Sequence, residues 1–349
     1  MSRKDTLRRI DQGIAAAGGA AVSITLAGSN GGVSNADTVD GYHASSTATA
    51  GKLLALDASA QFDPSVIEWA DVAGAGLDDS GDTLVVLWGT SPGNDSKLGD
   101  TKLEAGRNFA NKLYNATRFV LRYAGQCQSY DIDYSALSLE DRWILSRLNR
   151  TVASVSSLMA EFEFGEALRQ IHDFLWGELC DWYIEMVKGR LQGGASPSPL
   201  PVLVRVLDGS LRLLHPFMPF VTEELWQNLK LATGAAGWPE SIMIADYPGV
   251  DESLYDEQAE RVVSGLMEIV RAVRNTRAEY EVAPDRLIEA SIYAGDMTPL
   301  FQPYTPVIES LAKAKVTLEA SRRETPPRSL ALVLKEAEVV MPMSSLFDL

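Results

Sequence analysis

Cysteine is nearly absent from this chain of 349 residues: there are two, Cys127 and Cys180, far apart and both in helical contexts. Such a pair cannot build the disulfide framework of a small secreted domain, so a reducing cytoplasm is the expected compartment. Histidine is as scarce. His43, His172 and His215 have no Cys or His partner at metal-ligand spacing, and no metal site is expected. No run of about eighteen apolar residues occurs, so no membrane span is expected. The start, MSRKDTLRRIDQGIAAAGGAAVSITLAGS, has the basic-then-apolar order of a signal peptide. Its core is Ala-rich and broken by Gly18 and Gly19, so no cleaved leader is expected.

Recognisable catalytic patterns are missing too. There is no G-x-S-x-G, no phosphate-binding loop and no G-x-G-x-x-G after a strand. The adjacent acids Glu223 and Glu224, and the pair Glu161 and Glu163, read as solvated helix surface. His172 lies among apolar helix residues, as a core or surface histidine does, and His215 precedes a proline where it could cap helix-end carbonyls. No catalytic residue is assigned. The net charge of -16 repels phosphate on average and argues against indiscriminate nucleic-acid binding, DNA included. A local basic surface remains compatible with it.

What is present divides by composition. Residues 1–87 are rich in Gly, Ala, Ser, Thr and Asp, and are expected to be irregular. A short helix over 3–17 and short strands near Leu53–Leu56 and Thr83–Leu87 are the only regular elements expected there. From about residue 100 to 280, apolar residues recur at helical spacing. Ser138 and Asp141 have capping-box spacing ahead of a run to Phe162. A second run extends from Glu166 to Leu191 and is broken by GGASPSPLP, where Pro201 can open the next helix. HPFMPF interrupts that helix at Pro216 and Pro219, and VTEELWQNL resumes it. The last long helix spans about 253–280. The expected fold class is mainly α: an antiparallel helical bundle. From Pro284 the pattern shifts to strands in RLIEASIYAG, KVTLEA and LALVLKEAEVVMPM, with a helix broken near Pro303 and Pro306. That is a small α+β region.

Three polar faces stand out on these helices. The first is Arg107, Asn108, Asn111, Lys112, Asn115 and Arg118, stepping by three or four residues, with Phe109, Leu113, Ala116 and Val120 out of phase and facing the core. The second is Lys188 and Arg190, following Trp182 and Tyr183; the third is Arg271, Arg274, Asn275 and Arg277. Arg and Asn suit phosphates and base edges, and aromatic faces can stack unpaired bases. Taken singly, each set also reads as a solvated helix face, and Trp182 and Tyr183 as core.

GTSPGND (89–95), GRNFANKLYNATRFV (106–120), LEDRWILSRLN (139–149), CDWYIEMVKGRL (180–191), LLHPFMPFVTEELWQNL (213–229) and RAVRNTRAEYEVAP (271–284) occur in the order seen in valyl-tRNA synthetases. The resemblance runs from about Gly89 to Leu349. It implies the end of a catalytic domain over 88–99, a helical class I anticodon-binding domain over 100–250, and a linking helix with a small α+β region over 251–349. It implies tRNA, valine-specific in the family, as partner of the Asn108, Asn111, Lys112, Asn115, Arg118, Trp182, Lys188, Arg190, Arg271, Arg274 and Arg277 surface, and a monomeric state. The family reaction joins valine to its tRNA with ATP and Mg. Its two ATP signatures, HIGH-like and KMSKS-like, do not occur in this sequence, nor does the editing domain. No cofactor is therefore expected in this chain, and the chain alone is expected to be inactive. NADTVDGYHAS and GKLLALDASAQFDPSVI instead resemble repeats of phage tail-fibre and collar proteins, over about residues 1–67. The alternative reading is a structural protein of that type, carrying the bundle as a passenger.

Overall fold

The computed structural model describes residues 100–125, 129–194, 197–234, 237–322 and 328–347, together with the backbone of five short strands between Ile24 and Leu54. Strand β1 (Ile24–Ala27) pairs antiparallel with β2 (Val33–Ala36), Ile24 opposite Ala36. β3 (Thr38–Val39) pairs antiparallel with β4 (Tyr42–Ser45), and β4 runs parallel to β5 (Lys52–Leu54). β5 overlaps the strand expected near Leu53. The helix expected over 3–17, the strand expected at Thr83–Leu87 and Cys127 lie outside the described residues.

The chain divides into two compact units, one of residues 1–121 and 214–245, the other of 122–213 and 246–349. In the first, helix α1 (Asp100–Ala124) begins; its last residues belong to the second. Phe109, Leu113 and Val120 are almost completely buried, as their spacing predicts. Thr117 lies on the same buried stripe and donates its hydroxyl to the Leu113 carbonyl at 3.0 Å, which leaves no buried hydroxyl unpaired.

The HPFMPF segment separates α5 (Leu200–Leu214) from α6 (Pro219–Thr233). Pro219 stands in the first turn of α6, where a missing N–H costs nothing, and Gly234 ends that helix at φ 58°, a left-handed conformation glycine adopts without strain. Beyond it the chain folds back on α6. Trp238 stacks on Trp226 at 4.9 Å, and Glu223 accepts from Ser241 Oγ at 2.7 Å and from the Ile242 amide at 3.2 Å. Glu223 is thus a loop anchor rather than a solvated acid.

The second unit starts from α2 (Leu139–Ala160), whose N-cap Ser138 accepts from the Asp141 amide. The reciprocal half of the expected capping box is absent, because the Asp141 carboxylate is engaged elsewhere. The single helical run expected over 166–191 is three segments: α3 (Phe164–Asp173), a π-helical stretch (Phe174–Tyr183) and α4 (Ile184–Gln192). Apolar spacing could not reveal this. Leu175, Leu179, Trp182 and Tyr183 are all buried, and steps of three, four or five residues thread them equally well.

Helix α7 (Glu257–Glu279) is capped by Asp256, which accepts from the Ala259 amide at 2.8 Å. It is braced to α2. Arg142 pairs with Asp256 at 2.8 Å, and Glu260 of α7 takes Ser146 and Arg150, the latter at 2.6 Å. Asn149 accepts from the Asp251 amide at 2.8 Å.

After α7 comes β6 (Ile288–Tyr293), then α8 (Thr298–Phe301) and α9 (Thr305–Ala312), then β7 (Ala314–Glu319), β8 (Ser329–Val333), β9 (Glu338–Pro342) and the short α10 (Met343–Leu346). The sheet order is β7-β6-β9-β8. β6 and β7 are parallel, Ile288 opposite Ala314, with α8 and α9 in the connection; β9 is antiparallel to both β6 and β8. The helix broken near Pro303 and Pro306 appears as expected: Pro303 sits in a 3-10 turn, and Pro306 opens α9. The molecule is a mainly helical protein with a small four-stranded α+β region. Among the described residues no helix is long and apolar enough to cross a membrane.

Candidate nucleic-acid interface

On α1, burial of Phe109, Leu113, Ala116 and Val120 turns the other side outward. Arg107, Asn108, Asn115 and Arg118 are exposed, and Asn111 and Lys112 are half-buried between them. Steps of three and four residues align them along one face. The stretch from Gly106 to Val120 contains no acid.

The second and third sets meet. Trp182, in the π-helical stretch, is 5% exposed. The guanidinium carbons of the exposed Arg271 and Arg274, one turn apart on α7, lie 5.5 Å and 5.9 Å from its ring centroid, within reach of a cation–π contact. Arg274 Nε also donates to the Leu311 carbonyl at 2.8 Å. A ring so covered cannot stack a base, so Trp182 serves as the platform under two arginines. Asn275 beside them is exposed. Lys188 is half-exposed and pairs with Glu185 at 3.3 Å.

Arg190 and Arg277 are internal brackets. Arg190 Nη1 donates to Ser138 Oγ at 2.8 Å, Glu140 Oε1 at 2.7 Å and Asp141 Oδ2 at 3.0 Å. Both carboxylates are buried, and each takes a second donor: Tyr183 gives its hydroxyl to Asp141 at 2.7 Å, and Tyr304 gives its own to Glu140 at 2.7 Å. Burial disfavours the guanidinium charge, but Asp141 and Glu140 outweigh it and raise the Arg190 pKa. Burial, reinforced by the neighbouring acid, pushes both tyrosine hydroxyls well above their ordinary range, so they remain donors. Arg277 donates to the carbonyls of Arg286 at 2.7 Å, Lys313 at 2.9 Å and Ala283 at 2.9 Å. Desolvation lowers its pKa. These two arginines have their donors committed to holding the fold.

His172 lies 3.2 Å from the Asp173 carboxylate and packs on Trp176 at 5.6 Å. His215 does not cap helix-end carbonyls as expected; its Nδ1 lies 2.7 Å from Thr222 Oγ1, whose hydroxyl bonds the Met218 carbonyl. Cys180 is a partly buried cysteine. Among the described residues no group of three or more His, Cys, Asp or Glu could hold a metal ion.

Sequence reasoning missed the Glu140–Asp141–Arg190–Tyr183–Tyr304 network. Its only sequence signal was Ser138 with Asp141, which marks a helix start and says nothing about an arginine some fifty positions on. It also missed that Trp182 would meet α7.

Residues 141–292 match the family model for the anticodon-binding domain of tRNA ligases. Over 269 residues, 76% of this chain, the sequence is 52% identical to the valine–tRNA ligase of Dehalococcoides mccartyi, covering 30% of that protein. The valine–tRNA ligase of Enterococcus faecalis is 39% identical over 267 residues, 75% of this chain and 30% of its own length. The chain thus spans about 30% of the length of these curated relatives. Among solved structures, a LeuRS of Agrobacterium radiobacter in a ternary complex with tRNA and LeuAMS aligns with a TM-score of 0.40 at 22% identity, over 59% of this chain and 24% of that one.

Proposed function

We propose that this chain, which matches the anticodon-binding domain model of tRNA ligases over residues 141–292 and valine–tRNA ligases over 76% of its length, is the tRNA-binding portion of such an enzyme. The observation that carries the reading is the family match itself. It falls on residues 141–292, which build α2 to α7 and the start of the small sheet. In this proposal residues 100–250 are the anticodon-binding domain, and 251–349 the linking helix and α+β region. The partner is valine tRNA, the chain acts as a monomer, and its place is the cytoplasm.

The proposed contacts are Asn108, Asn111, Lys112, Asn115 and Arg118 on α1, with Lys188, Arg271 and Arg274 in the second unit. Within the second unit Trp182 lies under Arg271 and Arg274, and Arg190 and Arg277 brace the fold. The acid-free α1 face offers amides that suit base edges and bases that suit phosphates. ATP and Mg belong to the family's complete reaction. Neither of the family's two ATP signatures occurs in this sequence. No chemical step is assigned to this chain.

Electrophoretic binding of the purified chain to valine tRNA and to a non-cognate tRNA tests the proposal. Binding that is tighter for valine tRNA and weakened by Lys112→Ala with Arg118→Ala is expected. A chain that retards neither tRNA at low salt would refute it. Valine- and ATP-dependent pyrophosphate exchange should be undetectable.

A further inference from the structure

The arginines of the second unit are, for the most part, spoken for. Arg142, Arg147, Arg150, Arg169, Arg190, Arg212, Arg261 and Arg322 all pair with carboxylates. Arg271 and Arg274 stand outside that pattern, both exposed and one turn apart on α7. Neither has a carboxylate partner among the described residues, and both lie over the same buried indole. The Leu311 carbonyl takes only the Nε of Arg274. The terminal NH2 groups of both arginines thus have no acceptor among the described residues.

We propose that Trp182, Arg271 and Arg274 form a preorganised clamp for the backbone phosphates of RNA, one that adds affinity and fixes orientation without reading sequence. This rests on the tRNA-binding reading above and specifies the ligand chemistry of the arginine pair in the second unit. Three features point to phosphate rather than base. The indole face that could have stacked a base is covered by the guanidiniums. A guanidinium presents a planar fork that matches phosphate oxygens. The ring holds both forks in place before binding, which reduces the side-chain freedom lost on association. Phosphate contacts position a protein on nucleic acid, whereas base edges carry the sequence information.

The test compares wild type, the Arg271→Ala/Arg274→Ala double variant, the Arg271→Lys/Arg274→Lys double variant and the α1 variant Lys112→Ala/Arg118→Ala. Each is titrated with valine tRNA and a non-cognate tRNA across a range of salt. Arg271 and Arg274 are exposed, so the variants keep the fold, checked by circular dichroism. The alanine pair should weaken binding of both tRNAs by the same factor, about tenfold at low salt, and reduce the slope of log K against log salt by about one to two. The lysine pair should keep the slope, because charge is retained, and lose part of the affinity, because the stacked fork is gone. An unchanged slope in the alanine pair, or a loss confined to valine tRNA, would overturn the clamp. If wild type binds and only the α1 variant is weakened, the clamp fails while the tRNA-binding reading stands. If wild type binds no tRNA, both fail.

Discussion

Arg190 shows how far a residue's neighbours can redirect its role. By sequence it is a basic residue at a helix end after two aromatics. In the fold it stands between the carboxylates of Glu140 and Asp141, whose side chains are 6% and 2% exposed. Removing it would strand two buried negative charges close together. Arg190→Ala should cost about 3 kcal/mol in urea unfolding, mostly from charges left uncompensated. Arg190→Lys should recover only part of that loss, because one ammonium cannot reproduce the fork reaching Ser138, Glu140, Asp141 and the Pro197 carbonyl. A full recovery by lysine would mean that charge alone matters there. The arginines over Trp182 are the converse case: their charge meets no acid among the described residues.

Among the elements, helix starts and breaks follow local chemistry closely. Ser138 caps α2, Pro219 opens α6, and Pro306 opens α9, each where its residue type is favoured. The π-helical stretch does not, because it satisfies tertiary partners: Trp182 must meet α7 while Tyr183 reaches Asp141. Glycines separate local from tertiary constraint in a measurable way. A Cβ on Gly177, within that stretch, would meet nothing within 4 Å, whereas one on Gly265 in α7 would come within 2.8 Å of the buried Phe301 ring and 3.4 Å of Glu336 Cβ. Gly177→Ala should stabilise the protein by about 0.5 kcal/mol through helical preference. Gly265→Ala should destabilise it by about 1–3 kcal/mol despite the same preference. Thermal melts of the two variants that shift in the same direction would contradict this account.

At the scale of the whole molecule, stability should fall on mild acidification. Burial lowers the pKa of His172 and His215 below the ordinary 6.5, and the nearby Asp173 and Glu223 only partly oppose it. A histidine with a depressed folded-state pKa binds fewer protons folded than unfolded. Its contribution is complete above pH 6.5 and is lost as pH falls through the folded value. Glu166 acts lower: the Arg169 hydrogen bonds, helped by Gln170, bring it to about 2, so its contribution is present above 4.5 and lost between 4.5 and 2. Urea unfolding between pH 7 and 5 should therefore lose stability with a slope that the His172→Gln/His215→Gln variant reduces. An identical slope in that variant would show that other groups govern the window.

Much of this could be read along the chain. Apolar residues at helical steps from Phe109 to Val120 and from Ile144 to Val155 specify amphipathic helices, because a stripe of such residues must be buried wherever it packs. Proline and serine positions mark ends, since a missing N–H or a capping oxygen acts within one turn. Period-two stretches after Pro284 mark the strands of the small sheet. The acid-free polar face of α1 was also legible, as it lies on one continuous helix. What the linear order could not decide is which distant groups meet. Arg190 with Glu140, Trp182 with Arg271 and Arg274, and Tyr304 with Glu140 are joined by packing between elements, and each pairing depends on the azimuth at which one helix meets another. Only tertiary structure could therefore decide which arginines hold the fold and which face outward, because a guanidinium's role is set by the oxygen atoms within about 3 Å of it and not by its place in the chain.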